Sequence, residues 1–162
     1  MSRLDSFIRR VTAQRDCLNR AAELLAGTNG VVLELGLGNG RTYDHLRSLF
    51  GAGDIYVFDR HVKAHPDCIP DDEHMIIGDF LETLPQAGKA LPAPAKLAHC
   101  DIGSGDKAAS VMLAEKLGRI LPPLLGSGSL IVSDQPFVVS GWEAVSLPDG
   151  VQEGRYHIYR QV

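Results

Sequence analysis

The chain has 162 residues, a hydrophobic fraction of 44% and a net charge of −4, enough for one core and too short for two ordinary domains. That charge gives no footing for broad binding to nucleic acid or anionic membrane, and no apolar stretch approaches the length of a membrane span. Cys17, Cys68 and Cys100 are odd in number and widely spaced, which argues against a disulfide framework and predicts reduced thiols in the cytoplasm. The first ten residues mix charged and apolar side chains, unlike a secretory signal.

Ser2 and Asp5 predict a capping box, and Leu4, Phe7, Ile8, Val11, Leu18, Ala22 and Leu25 recur at helical spacing. The stripe weakens around Gln14 and Arg15, so the segment reads as one long helix or two, ending at Gly27. Val31 to Leu35 is an apolar run suited to a strand buried on both faces. Gly36, Gly38 and Gly40 follow at alternate positions, where a backbone bends sharply and lets a ligand approach. A helix then carries Tyr43, Leu46, Leu49 and Phe50 on one face and stops at Gly51.

Ile55 to Phe58 is a second strand ending in Asp59, about twenty residues past the glycine loop, where nucleotide-binding βαβ units place an acidic ribose ligand. Arg60 to Asp72, broken by Pro66 and Pro70, predicts a loop. Met75 to Ile77 is a third strand leading into Gly78, Asp79 and Phe80, with a short helix after it. Leu97 to Cys100 is a fourth, ending in Asp101. Asp106 to Leu121 is a helix expected to turn Val111, Met112, Leu117, Ile120 and Leu121 inward. Ser129 to Ser133 is a fifth strand ending in Asp134. The segment after it is too short for a helical crossover, so Trp142 to Leu147 and Tyr156 to Gln161 are expected to form an antiparallel ribbon turned through Asp149 and Gly150. The order predicts an α/β fold with an open, mostly parallel sheet, helices on both faces and an antiparallel C-terminal ribbon. It divides into an N-terminal helical segment (1–27), a core (31–134) and the ribbon (135–162) of one domain.

Glu34, Asp59, Asp79, Asp101 and Asp134 all fall at strand ends, the edge where open parallel sheets bind ligands. A negative rim suits a cation and is poor company for a pyrophosphate. The loop spacing is Glu-x-Gly-x-Gly-x-Gly, and Arg41 stands where a dinucleotide fingerprint needs its last glycine. A nicotinamide-binding domain is therefore disfavoured.

Over Val31 to Asp134 the chain resembles class I S-adenosylmethionine-dependent methyltransferases, with Leu-Glu-Leu-Gly-Leu-Gly-Asn-Gly-Arg-Thr-Tyr and Val-Phe-Asp-Arg closest to short standalone bacterial members. The resemblance implies a Rossmann-like fold and S-adenosyl-L-methionine as cofactor. It implies that Glu34 and the backbone of Gly36, Gly38 and Gly40 hold the methionine part and that Asp59 accepts the ribose hydroxyls. It further places Asp79 on the adenine amino group, the Phe80 N–H on the ring, and Asp101 near the reacting methyl.

The acceptor is expected to be a small molecule, with Asp134, Asp101 and Tyr43 as catalytic candidates and His61 and His99 as further possible bases. Asp101, Asp134 and Gln135, with Asp106-Lys107, are also similar to the acidic positions of metal-dependent O-methyltransferases, although no metal site is assigned. A non-catalytic cofactor-binding module or partner subunit is the alternative. Small size and the lack of an acceptor lid predict a homo-oligomer.

Overall fold

The computed structural model describes residues 1–162. Its elements are α1 (Arg3–Leu24), β1 (Val31–Leu35), α2 (Arg41–Phe50), β2 (Ile55–Asp59), β3 (Met75–Ile77), α3 (Phe80–Ala87), β4 (Ala95–Cys100), α4 (Lys107–Ile120), β5 (Leu125–Ser133), β6 (Trp142–Ala144) and β7 (His157–Gln161). The strands form one sheet in the order β3-β2-β1-β4-β5-β7-β6. Pairing is parallel from β3 through β5, and β7 runs antiparallel between β5 and β6. Chain order reverses between β1 and β4, so the crevice at their carboxyl ends is the switch point where such sheets take ligands.

Every residue of β1 is buried, because successive side chains alternate between two covered faces. Val32, Val57, Leu97 and Val132 point to α1 and α2, where Leu18, Ala21 and Leu46 meet them. Val31, Leu33, Leu35 and Ile131 point the other way, to Leu84 of α3 and to Ala114 and Leu117 of α4. A fully buried Leu such as Leu33 costs about 2–5 kcal/mol when cut to Ala.

α1 is continuous through Gln14, with the capping box of Ser2 and Asp5 formed at its start. The break allowed for there does not occur. Gln14 is itself inward, 6% exposed, and finds polar partners that only the tertiary fold supplies. Residues 13 to 25 carry the buried positions of α1, while residues before them are exposed or half-buried. The first three turns, about 15 Å of helix, therefore overhang the carboxyl edge of the sheet.

The phase expected for α4 holds at its C-terminal end, where Leu117 and Leu121 are fully buried and Ile120 half-buried, and is corrected at Val111 and Met112. Ser110, Ala114 and Leu117 face the core, whereas Val111 and Met112 are exposed, Met112 at 57%. The small residues let the helix sit close to the sheet, and close packing outweighed side-chain hydrophobicity. In the ribbon, Trp142 pairs with Gln161 and Ala144 with Tyr159. Phe137, Trp142 and Tyr159 pack as a cluster with centroids 5.3 to 6.3 Å apart, and the turn closes through Val151 N–H to Pro148 O. The edge strands β3 and β6 have three residues each. No helix is long and apolar enough to cross a membrane.

Candidate functional site at the carboxyl edge

The turn from β1 to α2 is built by backbone geometry. Gly36 has φ 97°, and a Cβ there would meet the Asp101 carbonyl at 2.7 Å, so the turns after β1 and β4 touch. Gly38, at φ 52°, has nothing within 4 Å of where its Cβ would stand. The loop is fastened from β2: Asp59 Oδ2 accepts N–H bonds from Leu37 at 2.8 Å and Gly38 at 3.3 Å. Its Oδ1 accepts only the His61 N–H, at 3.3 Å, which leaves lone pairs for a hydroxyl donor.

Asp79 caps α3 by accepting the Leu81 N–H at 2.8 Å, and Arg60 pairs with its other oxygen. The Leu81 hydrogen bond, then Arg60, hold this carboxyl below the usual carboxylate range. The neighbouring Phe80 N–H has no acceptor, as the first N–H groups of a helix have none within it. Asp59, Asp79 and Phe80 share a cavity of about 510 Å³ with Met112 and Leu113 of α4. The exposure of Met112 is thereby explained, since it walls a cleft.

Glu34 does not stand at the cleft surface. Its side chain is fully buried on the α1 face, and His99 Nδ1 lies 2.7 Å from Oε1. His99 Nε2 is 2.6 Å from the Tyr156 hydroxyl. Gln14 Nε2 donates to that hydroxyl at 3.1 Å and to Asp101 Oδ2 at 3.2 Å. With one ring proton on Nδ1, the donors run one way from Gln14 through Tyr156 and His99 to Glu34. Burial raises the Glu34 pKa, with His99 pulling against it. Burial also lowers that of His99, but the Glu34 charge and hydrogen bond outweigh it and leave the imidazole raised. Glu34 Oε2 has no hydrogen-bond partner at normal distance, although the Thr42 side chain lies near enough to the carboxyl to pull its pKa down slightly against burial. Enclosed in this way, the oxygen is closed to a ligand, and the groups open to the cleft are Asp59 Oδ1 and the Phe80 N–H, one acceptor and one donor.

Asp134 accepts N–H bonds from Ile102 at 3.0 Å and Gly103 at 2.8 Å, which use its two oxygens to set the turn after β4. Burial raises its pKa. Tyr43 is 3% exposed in the core under α1, with the Arg47 guanidinium 5.4 Å from its ring centroid, so the fold does not bring it into the rim cluster. His99 is likewise buried, and His61 is exposed. No group of three or more His, Cys, Asp or Glu side chains is arranged to hold a metal ion.

The structure thus collects Asp59, Asp79 and Phe80 into one cleft, joins Gly36 to Asp101, and places Glu34 beneath them. Gln14, His99 and Tyr156 are the members that sequence reasoning missed as a unit. A polar residue on an otherwise buried helical stripe, and a His inside an apolar strand, were the available signals.

Residues 1–161 match the model of a family described as S-adenosyl-L-methionine methyltransferase. No curated protein matches the chain by sequence. Among solved structures it is similar to an S-adenosyl-L-methionine methyl transferase from Silicibacter pomeroyi, at 42% identity and TM-score 0.93, over 100% of this chain and 99% of that one. A protein from Haemophilus influenzae described as a methylase shares the fold at 14% identity and TM-score 0.56, over 91% and 88% of the two chains. So does one from Streptococcus thermophilus described as a hemolysin, at 13% identity and TM-score 0.54, over 92% and 66%.

Proposed function

The chain belongs to the S-adenosyl-L-methionine methyltransferase family, and from that premise we propose that it methylates a small molecule at the crevice between β1 and β4. When bound, S-adenosyl-L-methionine supplies a methyl group on a sulfonium, a leaving group already activated. The protein's part is then alignment and exclusion of water. Residues 1–162 act as one methyltransferase-like domain in this reading.

Asp59 holds the ribose hydroxyls with its open Oδ1 while its Oδ2 keeps the glycine loop in place. Asp79 and the free Phe80 N–H face the adenine end, and Met112 and Leu113 supply the apolar wall. Gly36, Gly38 and Gly40 would line the methionine end, and the fully buried Glu34 lies beneath them as a support of the loop without facing the ligand. Asp101 stands between that end and the reacting methyl, steadied by Gln14. Asp134 shapes the turn beside it, and Tyr43 supports α2 from the core.

The observation that carries the reading is the cleft where Asp59, Asp79 and the unpaired Phe80 N–H converge next to the fastened glycine loop. Calorimetric titration with S-adenosylhomocysteine tests it, and no binding at millimolar ligand would overturn it. Asp59→Ala should weaken that binding by about 10- to 100-fold, the worth of one or two hydrogen bonds to a charged group.

Leu4 and Phe7 lie exposed on the overhanging turns of α1, at 65% and 41%. They support self-association with a second copy covering this stripe. Sedimentation of Phe7→Glu should then show a lighter species than the unsubstituted chain.

A further inference from the structure

Two rim elements that the cofactor reading leaves unused face one another. The overhanging turns of α1 contribute Ile8, Arg9 and Thr12, and the segment between β6 and β7 contributes Val151, Gln152 and Arg155, to a cavity of about 480 Å³. β6 ends and β7 begins at the carboxyl edge, so this cavity opens on the same edge as the glycine loop. Its inner end is fixed by neighbours in sequence. Ala13 lines it beside Gln14, and Arg155 precedes Tyr156; Gln14 bonds Tyr156 and reaches Asp101. Gln14 and Tyr156 thus tie both walls of the cavity to each other and to Asp101.

Its charge is one-sided. Neither Arg9 nor Arg155 has a carboxylate within ion-pair distance, a condition they share with Arg3, Arg10, Arg41, Arg119 and Arg160 but not with Arg15, Arg20, Arg47 and Arg60; what sets these two apart is that both line one cavity. Asp5, one turn before Arg9, is hydrogen-bonded to Ser2 and acts on Arg9 only through its charge, from beyond ion-pair distance. Arg10 points elsewhere, over the Phe7 ring at 5.4 Å. Two unpaired guanidinium groups on opposite walls, with Ile8 and Val151 between, present donors for an oxyanion and an apolar surface for its carbon skeleton. In a protein of net charge −4, with carboxylates along the sheet rim, a cationic pocket is a local arrangement and not a consequence of composition.

We propose that this cavity is the acceptor subsite and that the acceptor is an anionic small molecule whose carboxylate or phosphate is held by Arg9 and Arg155. The inference rests on the methyltransferase reading and adds the substrate class to it. The anion anchors the far end of the acceptor, and the nucleophilic atom lies toward Gln14 and Asp101. Gly150 and Gly154, at φ 85° and 80°, bracket the arginine-bearing turn in a conformation that other residues rarely adopt, and so permit its path.

The test is ligand-observed NMR on the full chain saturated with S-adenosylhomocysteine, with phenyl phosphate and benzoate as separate probes. The unsubstituted protein should bind at least one of them, Arg9→Gln and Arg155→Gln should each weaken that binding by about tenfold, and the double variant should abolish it. Affinity for S-adenosylhomocysteine should stay within about twofold in all three, which also shows that they are folded. Preference for phenyl phosphate identifies a phosphate-bearing acceptor, and preference for benzoate a carboxylate. Failure of both probes on the unsubstituted protein, or equal binding by the double variant, overturns the proposal. Failure of S-adenosylhomocysteine itself would instead strike the methyltransferase reading.

Discussion

Glu34 and His99 form the one fully buried ion-pair-capable contact in the molecule, and its energetics follow from isolation in the core. Removing His99 leaves an uncompensated carboxylate, so His99→Leu should cost about 3–5 kcal/mol in urea unfolding. The pair also predicts a pH dependence. Folded His99 holds its proton more tightly than the unfolded chain does, so its contribution is complete below its ordinary value of 6.5 and is lost as pH rises through the raised folded one. The raised Glu34 carboxyl has the same sign, losing stability as pH rises above its ordinary 4.5. Thermal melts should therefore fall on the alkaline side, and His99→Leu should flatten that decline. Among the thiols, burial pushes Cys17 up to about 12 and raises Cys100 further from reactivity, while Cys68 is half-buried. Native thiol titration should find Cys68 alone reacting quickly, and denaturant should release the other two. Glu34 was legible as part of the loop motif, but its partner was not, since His99 lies 65 residues away and no local pattern encodes that meeting.

At the scale of elements, the glycine loop separates two jobs that its spacing alone merges. Gly36 sits against the Asp101 carbonyl, and Gly36→Ala should lower stability by about 1–3 kcal/mol from backbone strain and contact. Gly38 faces open space at φ 52°. Gly38→Ala should cost at most about 1–2 kcal/mol yet weaken S-adenosylhomocysteine binding, because the added methyl enters the ligand's room. Unfolding and titration of both variants check the contrast. Element types were readable from β1 to β5 because each strand holds a short, largely apolar run closed by Gly or Asp, while the start of β5, Leu125 to Gly128, was hidden by its Gly and Ser. Helix phase in the first half of α4 was not, because Ser110 and Ala114 are inward for closeness and Met112 outward for the cleft, against the order that hydrophobicity suggests; Leu117 and Leu121 followed it.

For the whole molecule, saturating ligand adds stability by mass action. S-adenosylhomocysteine at a hundred times its dissociation constant should add about 2.7 kcal/mol, a rise in melting temperature of roughly 5–10 °C for a chain of this size. NAD at the same concentration should leave the melt unchanged. The α/β order and the antiparallel ribbon were legible from segment lengths, since the stretch between β5 and β6 has no room for a crossover helix. The placing of β7 between β5 and β6 was not, because it depends on pairing of Ser133 with His157 and not on any feature of either strand. The overhang of α1 was equally hidden: its stripe runs almost to the N-terminus, and only the fold shows that its first turns have passed beyond the sheet. The three-residue edges bear on how the protein behaves in a crowded solution. A sheet recruits foreign strands through long unpaired edges, and β3 and β6 offer only a few free backbone groups each. The fold thus resists growth into cross-β aggregates.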